Sequence, residues 1–472
     1  MKHRQGWLGS TGVSSRGDRR PVLPSPGRRG TVLIVTMWIV LVLAGLVLVL
    51  ARAMRVEATC SANDSAMLQA QAVEQGAIQY VLTSVDSLQG QAPEDANMPC
   101  EAVRIGQGTF WIIRPNYDDD RAFAYGVVGE SSKVNLNTAP QAMLSKLPEM
   151  SDELAASIID WRDSDSTVTP GGAESEYYLL LSSPYQCKNA PLETVEELFL
   201  IKDMTRDVLL DEDVNRNGVL DANEDDGEDS EPSDNRDGRL GRGLLPFVTV
   251  YSAEPNTDSE GKPRVNVNDS QTQGLSDLLN KNVSADRAAM ILRLARRGRP
   301  FQNVLDFYVR VGLTASEFQV IADHLTTTAD AVLKGLVNVN AAPKEVLACL
   351  PGLEDADVSA LLSKRAEPDA DRNSLAWVAQ TLTPEKATAV DGILTTRAYQ
   401  FSADIVSAAG DGRAFKRCRI VVDARSSPPK VIYRQGLTHL GWPLAPELLT
   451  KLRAGAGLDE IAPARTVLQE TQ

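Results

Sequence analysis

The chain has 472 residues, 43 % of them hydrophobic and 24 % charged, with a formal net charge of −15. Such usage excludes a wholly disordered or collagen-like chain and supplies apolar material for two or three domains. So much negative charge repels nucleic-acid phosphate. With only His3, His324 and His439 present, a histidine-based catalytic or metal centre is not expected. The cysteines Cys60, Cys100, Cys187, Cys349 and Cys418 contain no CxxC pair, so a zinc ribbon and a thioredoxin-type motif are excluded and the pairing stays open. No nucleophile–base pair and no phosphate-binding glycine loop stands out, so an enzyme is not expected.

Residues 1–30 carry Lys2, Arg4, Arg16, Arg19, Arg20, Arg28 and Arg29 against Asp18, a net +6. Thr31 to Leu50 follows without a charge, and about twenty apolar residues are enough to span a bilayer as a helix. The basic flank lies before this run, which puts the N-terminus in the cytoplasm and the bulk of the chain outside it. A secretory signal peptide and a cut before the apolar run both fit the flank. The order Arg28-Arg29-Gly30-Thr31 followed by an apolar helix resembles the leader of type IV prepilins and pseudopilins. That resemblance implies cleavage between Gly30 and Thr31 by a prepilin peptidase and methylation of the new N-terminus.

Residues 51–87 have no proline, and Met67, Ala70, Val73, Ala77, Tyr80 and Val81 recur at helical spacing. This reads as the amphipathic half of a long stem helix or as a separate helix after an anchor. Thr109-Phe-Trp-Ile-Ile113 and Phe123-Ala-Tyr-Gly-Val-Val128 then read as strands.

A phrase next recurs: Val134-Asn-Leu-Asn-Thr-Ala-Pro140, Val265-Asn-Val-Asn-Asp269 and Val337-Asn-Val-Asn-Ala-Ala-Pro343. Three copies in one chain indicate an internal repeat. Each reads as a short strand or turn before a helical hairpin. Thr138 or Asp269 is expected as N-cap, with Pro140 and Pro343 in the first helical turn. The surroundings are acidic in the first and third units. Arg287, Arg293, Arg296, Arg297 and Arg299 make the second basic. A DNA-binding helix–hairpin–helix needs concentrated positive charge, so packing modules are favoured.

After the first hairpin stand Ile158-Ile-Asp-Trp-Arg-Asp-Ser-Asp165, Gly172-Ala-Glu174, Tyr177-Tyr178, Tyr185, Lys188-Asn189 and Val195-Glu-Glu-Leu-Phe199. This ordered set, with the later Asn-Val-Asn-Ala-Ala-Pro phrase, resembles the K-type minor pseudopilin family of the type II secretion system, from about Gly30 to about Trp442. Trp161 is expected in a core. Asp160, Asp163 and Asp165 with Arg162 read as a helix-end ion-pair cluster or a solvated terminus, and Tyr177 and Tyr178 as packing residues.

Residues 203–237 hold fourteen Asp and Glu against three Arg, a net −11. Within them, Asp213, Asn215, Asn217, Asp221 and Glu224 take loop positions one, three, five, nine and twelve of an EF-hand-type calcium loop. Gly218 falls at the sharp turn, and Val219 offers its carbonyl. A solvated acidic linker is the competing reading. Ser233 to Gly238 imitates half of such a loop and reads as linker. The K-type resemblance also implies calcium in the inserted domain.

Alternation over Phe401, Ala403 and Ile405, over Phe415 to Val422 and over Lys430 to Tyr433 predicts closing strands, and Pro446 to Ala454 a short helix. The expected fold class is α+β: a pilin-like fold with a long N-terminal helix, an antiparallel sheet and a large inserted α-helical domain. The layout is leader 1–30, transmembrane stem 31–50, body 51–137, insert 138–398 with an acidic loop at 203–243, closing strands 399–457 and tail 458–472. The resemblance implies a single-pass inner-membrane protein with a periplasmic body. Its implied partners are the I- and J-type minor pseudopilins and the major pseudopilin at the tip of a pseudopilus, with no nucleic acid. Val35 stands where most pilins carry a Glu that pairs with a neighbour's amine; its apolar side chain suits a subunit with none above it. The alternative is a membrane-anchored helix–hairpin–helix DNA-binding protein of an uptake or pilus system.

Overall fold

The computed structural model describes residues 29–91, 98–367, 372–455 and 460. The expected leader, apart from Arg29 and Gly30, and the expected tail, apart from Glu460, lie outside the described residues. The chain divides into two units between Ala62 and Asn63.

With no proline between Thr31 and Asp86, nothing interrupts the backbone ladder, and helix α1 runs Arg29–Asp86. In the first unit its apolar side chains from Val32 to Leu50 are exposed, and by length and composition the helix can cross a membrane. In the second unit α1 turns Ala66, Ala70, Val73, Ala77, Val81 and Val85 inward at intervals of three and four. Ala66 takes the place expected of Met67, which is exposed. Tyr80 is half-buried with its ring against Phe110.

This part of α1 covers one face of a seven-stranded sheet. The strands are β1 (Val103–Ile105), β2 (Gly108–Arg114), β3 (Ala124–Tyr125), β4 (Val128–Gly129), β5 (Gln400–Ala408), β6 (Phe415–Asp423) and β7 (Lys430–Gly436). The path is β1-β2-β5-β6-β7, with β3 beside β2 and β4 beside β5, all antiparallel. Alternate side chains of a strand point to opposite faces. Phe110, Ile112, Ala403, Ile405 and Ile420 therefore pack under α1. Trp111, Ile113, Val406 and Ala408 face the other way, where Trp442, Leu444 and the helix Pro446–Arg453 cover them. Both faces of β5 are buried, which is why its polar Ser402, Asp404 and Ser407 are buried too.

Between β4 and β5 the chain leaves the sheet, and three closed units follow. In each, the recurring Val-Asn pair forms a parallel bridge to the end of its own unit: Val134–Asn135 to Val248–Thr249, Val265–Asn266 to Leu325–Thr326, Val337–Asn338 to Leu394–Thr395. The asparagines explain the phrase. The first accepts the N–H of the second: Asn135 from Asn137 at 2.8 Å, Asn266 from Asn268 at 2.8 Å, Asn338 from Asn340 at 2.9 Å. The second reaches across the unit. Asn137 exchanges two hydrogen bonds with the backbone of Leu192 (2.7 and 2.9 Å), Asn268 two with Phe301 (2.8 and 2.9 Å), and Asn340 donates to the Arg372 carbonyl at 2.8 Å. An arginine then ties off the carbonyl of the phrase's third residue: Arg162 on Leu136, Arg299 on Val267, Arg365 on Val339. These side chains satisfy backbone groups that such two-residue strands leave open.

Two expectations are corrected. Pro140 and Pro343 sit one residue before their helices, as extended N-caps, because Asn135 and Asn338 already hold the preceding turn through Ala139 and Ala342. Asp269 accepts from Gln271, and the helix Gln273–Asn282 starts after Thr272, so neither Thr138 nor Asp269 is a cap.

Replacing Asn137 by Ala leaves both backbone groups of Leu192 without their partner. We expect a loss of roughly 1–3 kcal/mol of stability, read as a lower Tm in calorimetry, with new protease cleavage near Leu192. An unchanged Tm would contradict this role.

Candidate metal centre

The acidic loop begins where the helix Arg206–Leu210 ends at Asp211, whose φ is +49°. Asp213 then folds the chain back on itself: its Oδ1 accepts the N–H of Asn217 at 2.9 Å and its Oδ2 that of Gly218 at 3.2 Å. Gly218 has φ +73°, and a Cβ there would stand 3.1 Å from the Cα of Pro115, so the turn needs glycine twice over. Asn217 Oδ1 accepts from Val219 N at 2.8 Å, and Glu224 Oε2 from Asp221 N at 3.0 Å. The six expected ligand residues thus fold into one loop, with Asp213, Asn217, Val219 and Glu224 buried.

Electrostatically the loop is under-compensated. Glu224 is 1 % exposed. Burial, with Asp213, Asp221 and Glu212 adding to it, pushes its carboxyl up to about 8. Burial likewise pushes Asp213 up to about 6, although Arg417 and Arg242 pull the other way. The amides of Asn215 and Asn217 donate to Asp221 Oδ2 at 2.7 and 2.9 Å, two neutral donors doing part of what a cation would do. Buried carboxylates are normally paired or metal-bound. Among the described residues no three carboxylate, histidine or cysteine side chains stand close enough to hold a metal between them. A cation here would therefore draw on amide and main-chain oxygens as well. An all-oxygen set of that kind fits calcium.

The loop is fastened to the sheet. Arg417 on β6, 1 % exposed, donates to Asp404 Oδ1 and Oδ2 of β5 at 2.9 and 2.8 Å, and to the carbonyls of Asn215 and Arg216 at 2.6 and 2.7 Å. Burial alone would raise the Asp404 carboxyl, but Arg417 and Arg419 hold it below the usual carboxylate range. Leu220 N reaches the Asp120 carbonyl at 2.7 Å, and Asn217 Nδ2 the Pro443 carbonyl at 3.1 Å. The half-loop at 233–238 is a turn: Asp234 accepts the backbone N–H groups of Asp226, Gly227 and Arg236.

Elsewhere in the insert, Trp161 is buried, with its ring edge-on to Tyr178 at 5.2 Å. Tyr178 is fully buried, whereas Tyr177 is partly exposed beneath Lys202. Arg162 (in helix α2, Asp152–Arg162) turns to the carbonyls of Leu136 and Ala139 rather than to the neighbouring aspartates. Three of the five arginines of the second unit are also engaged within it: Arg287 with Glu317, Arg296 with Thr272, Arg299 with Val267. At the stem, Gly30 and Thr31 fall in the first turn of α1, and Val35 is exposed one turn on.

A family model for protein K of the type II secretion system (T2SS) matches residues 130–211. A chain in the crystal structure of the GspK-GspI-GspJ complex from the enterotoxigenic Escherichia coli type 2 secretion system is similar at 12 % identity and a TM-score of 0.38. That likeness covers 78 % of this chain and 96 % of the other. No curated protein sequence matches the chain.

Replacing Arg417 by Met strands the Asp404 carboxylate, and breaking such a buried pair costs roughly 3–5 kcal/mol. The double variant Asp404→Asn, Arg417→Met should lose less than Arg417→Met alone. Because the folded Asp404 pKa is depressed, its contribution is complete above the ordinary carboxylate pKa and is lost as pH falls through the folded value. The deficit of Arg417→Met against wild type should therefore shrink on acidification. A deficit that stays constant with pH would contradict the pairing.

Proposed function

We infer that this chain is a protein K of the type II secretion system, a minor pseudopilin. The observation that carries the reading is the protein K match across 130–211, which falls on the first unit of the insert and on the ordered phrases from Ile158 to Phe199. The apolar stem and the antiparallel sheet on which α1 lies agree with it. Nothing supports the DNA-binding alternative; three of the five arginines that suggested it are engaged inside their own unit.

Prepilin peptidase cuts between Gly30 and Thr31, the stem stays in the inner membrane, and the body lies in the periplasm. The subunit joins I- and J-type minor pseudopilins at the tip of the pseudopilus, above the major pseudopilin. Assembly packs the apolar stems side by side. Val35 offers no carboxylate to a subunit above, and a bulky insert leaves no room to stack one. The chain carries no catalytic role in this reading; it supports export of folded proteins across the outer membrane.

Calcium is proposed at Asp213, Asn215, Asn217, Val219, Asp221 and Glu224. A dication there would neutralise charge that the fold has already buried, and would stiffen a loop that Arg417 joins to the sheet.

Two measurements test these readings. Deleting the gene should leave folded substrates of the secretion apparatus in the periplasm. The intact gene should restore export and Gly30→Val, which blocks cleavage, should not; normal export in the deletion strain would refute the function. Chelation of calcium should lower the Tm by several degrees and speed protease cleavage between 205 and 243. Saturation at a thousand times Kd is worth about 4 kcal/mol. Identical cleavage with and without calcium would refute the metal loop.

A further inference from the structure

We propose that the seam between the sheet and the acidic loop binds one small oxyanion, with Arg216 and Arg419 as its principal ligands and Lys133 at its rim. The site lies beyond the function inferred above and needs no metal in the loop.

The sheet brings the groups together. Asp404 on β5 is in register with Arg419 on β6, and Arg419 with Gln435 on β7. Side chains directly opposite in an antiparallel pair share a face, so the three form one polar row. The loop lays Arg216 on this row, with its Nη1 3.5 Å from Gln435 Oε1. Ser402, two residues before Asp404, faces the same way, and Lys133 Nζ comes within 3.5 Å of its Oγ. A cavity of about 60 Å³ lies here, and Lys133, Arg216, Arg419, Ser402, Asp404 and Asp213 are part of its wall. A water occupies about 10–15 Å³ of such volume. Roughly four waters, or one anion the size of phosphate, sulfate or acetate, therefore fit; a nucleotide does not.

The carboxylates of this wall already have donors, whereas the two guanidiniums lack acceptors. Asp404 takes two bonds from Arg417 and one from Arg419 Nη2 at 3.2 Å. Asp213 takes the N–H groups of Asn217 and Gly218. Among the described residues Asp404 is the one acceptor of the Arg419 side chain. Arg216 has only long contacts, to Gln435 and to Glu196 at 3.7 Å, and its buried Nε has no acceptor. Burial pushes the Arg216 guanidinium below its usual value, and the like charges of Arg419 and Arg417 push the same way, against Glu196 and Tyr433. Three guanidiniums thus share Asp404 and a distant Glu196. Lys133 differs in being matched by Glu130 at 2.7 Å.

An anion between Arg216 and Arg419 supplies the missing acceptors. The forked N–H pairs of a guanidinium match two oxygens of a carboxylate, phosphate or sulfate. Such a ligand fastens the loop to β6 from the Arg216 side chain, in addition to the bonds Arg417 makes with the loop's carbonyls.

The test is isothermal titration calorimetry of the full chain in non-ionic detergent with sodium phosphate, sulfate or acetate. Ionic strength is held constant with NaCl, and each titration is run with and without calcium. One saturable site is expected, and Arg216→Gln and Arg419→Gln should each weaken it about ten- to a hundredfold. Arg293→Gln, at an exposed arginine of the second unit, should bind as wild type does. Tighter binding of phosphate and sulfate assigns the site to a free inorganic anion; tighter binding of acetate assigns it to a carboxylate such as a partner's Asp or Glu. The Arg216 side chain has no close contact to lose, so its replacement is expected to leave the circular dichroism spectrum unchanged. No saturable heat with any of the three anions, or equal affinity in wild type and Arg216→Gln, would overturn the proposal.

Discussion

One buried guanidinium joins the two halves of the second unit. Arg417 sits in a strand of the sheet, completes a double hydrogen bond with Asp404 on the next strand, and offers its remaining donors to two carbonyls of the acidic loop. A planar five-donor group can do this in one place; an ammonium cannot. Whatever orders the loop is therefore felt at the centre of the sheet that α1 packs against. The sheet, in turn, gives the acidic loop a fixed floor.

The insert solves a different problem. A long excursion from a sheet has to close on itself or remain loose. Here it closes three times with the same parts: a two-residue parallel bridge, an asparagine pair, and an arginine on a carbonyl. Each unit buries its helical hairpin in one continuous core that runs from Val134 to Leu394. The repetition is a packing device, and in the second unit three of the five arginines bond within their own unit.

Much of this was legible in the sequence because it is written in local periodicity. The alternation at 109–113, 401–405 and 415–422 marks strands that the sheet contains, and the threefold Val-Asn phrase marks the units. Gly218 stands at the turn of the acidic loop with a positive φ. What was hidden depends on tertiary contact. Nothing local distinguishes Ala66 from Met67 as the buried residue of α1, or tells that Arg162 would leave its aspartates for backbone carbonyls. The role of the second asparagine needs its partner, Leu192 or Phe301, which lies tens of residues away.

The account rests most heavily on the chain being processed and assembled as a pseudopilin, with α1 as its mature N-terminal stem. Mass spectrometry of the N-terminal peptide of the chain purified from membranes tests that directly. The account predicts a mature chain that begins at N-methylated Thr31, joined without interruption to the apolar run. A chain that retains Arg28 and Arg29 ahead of that run, or one cut after Leu50, would contradict it.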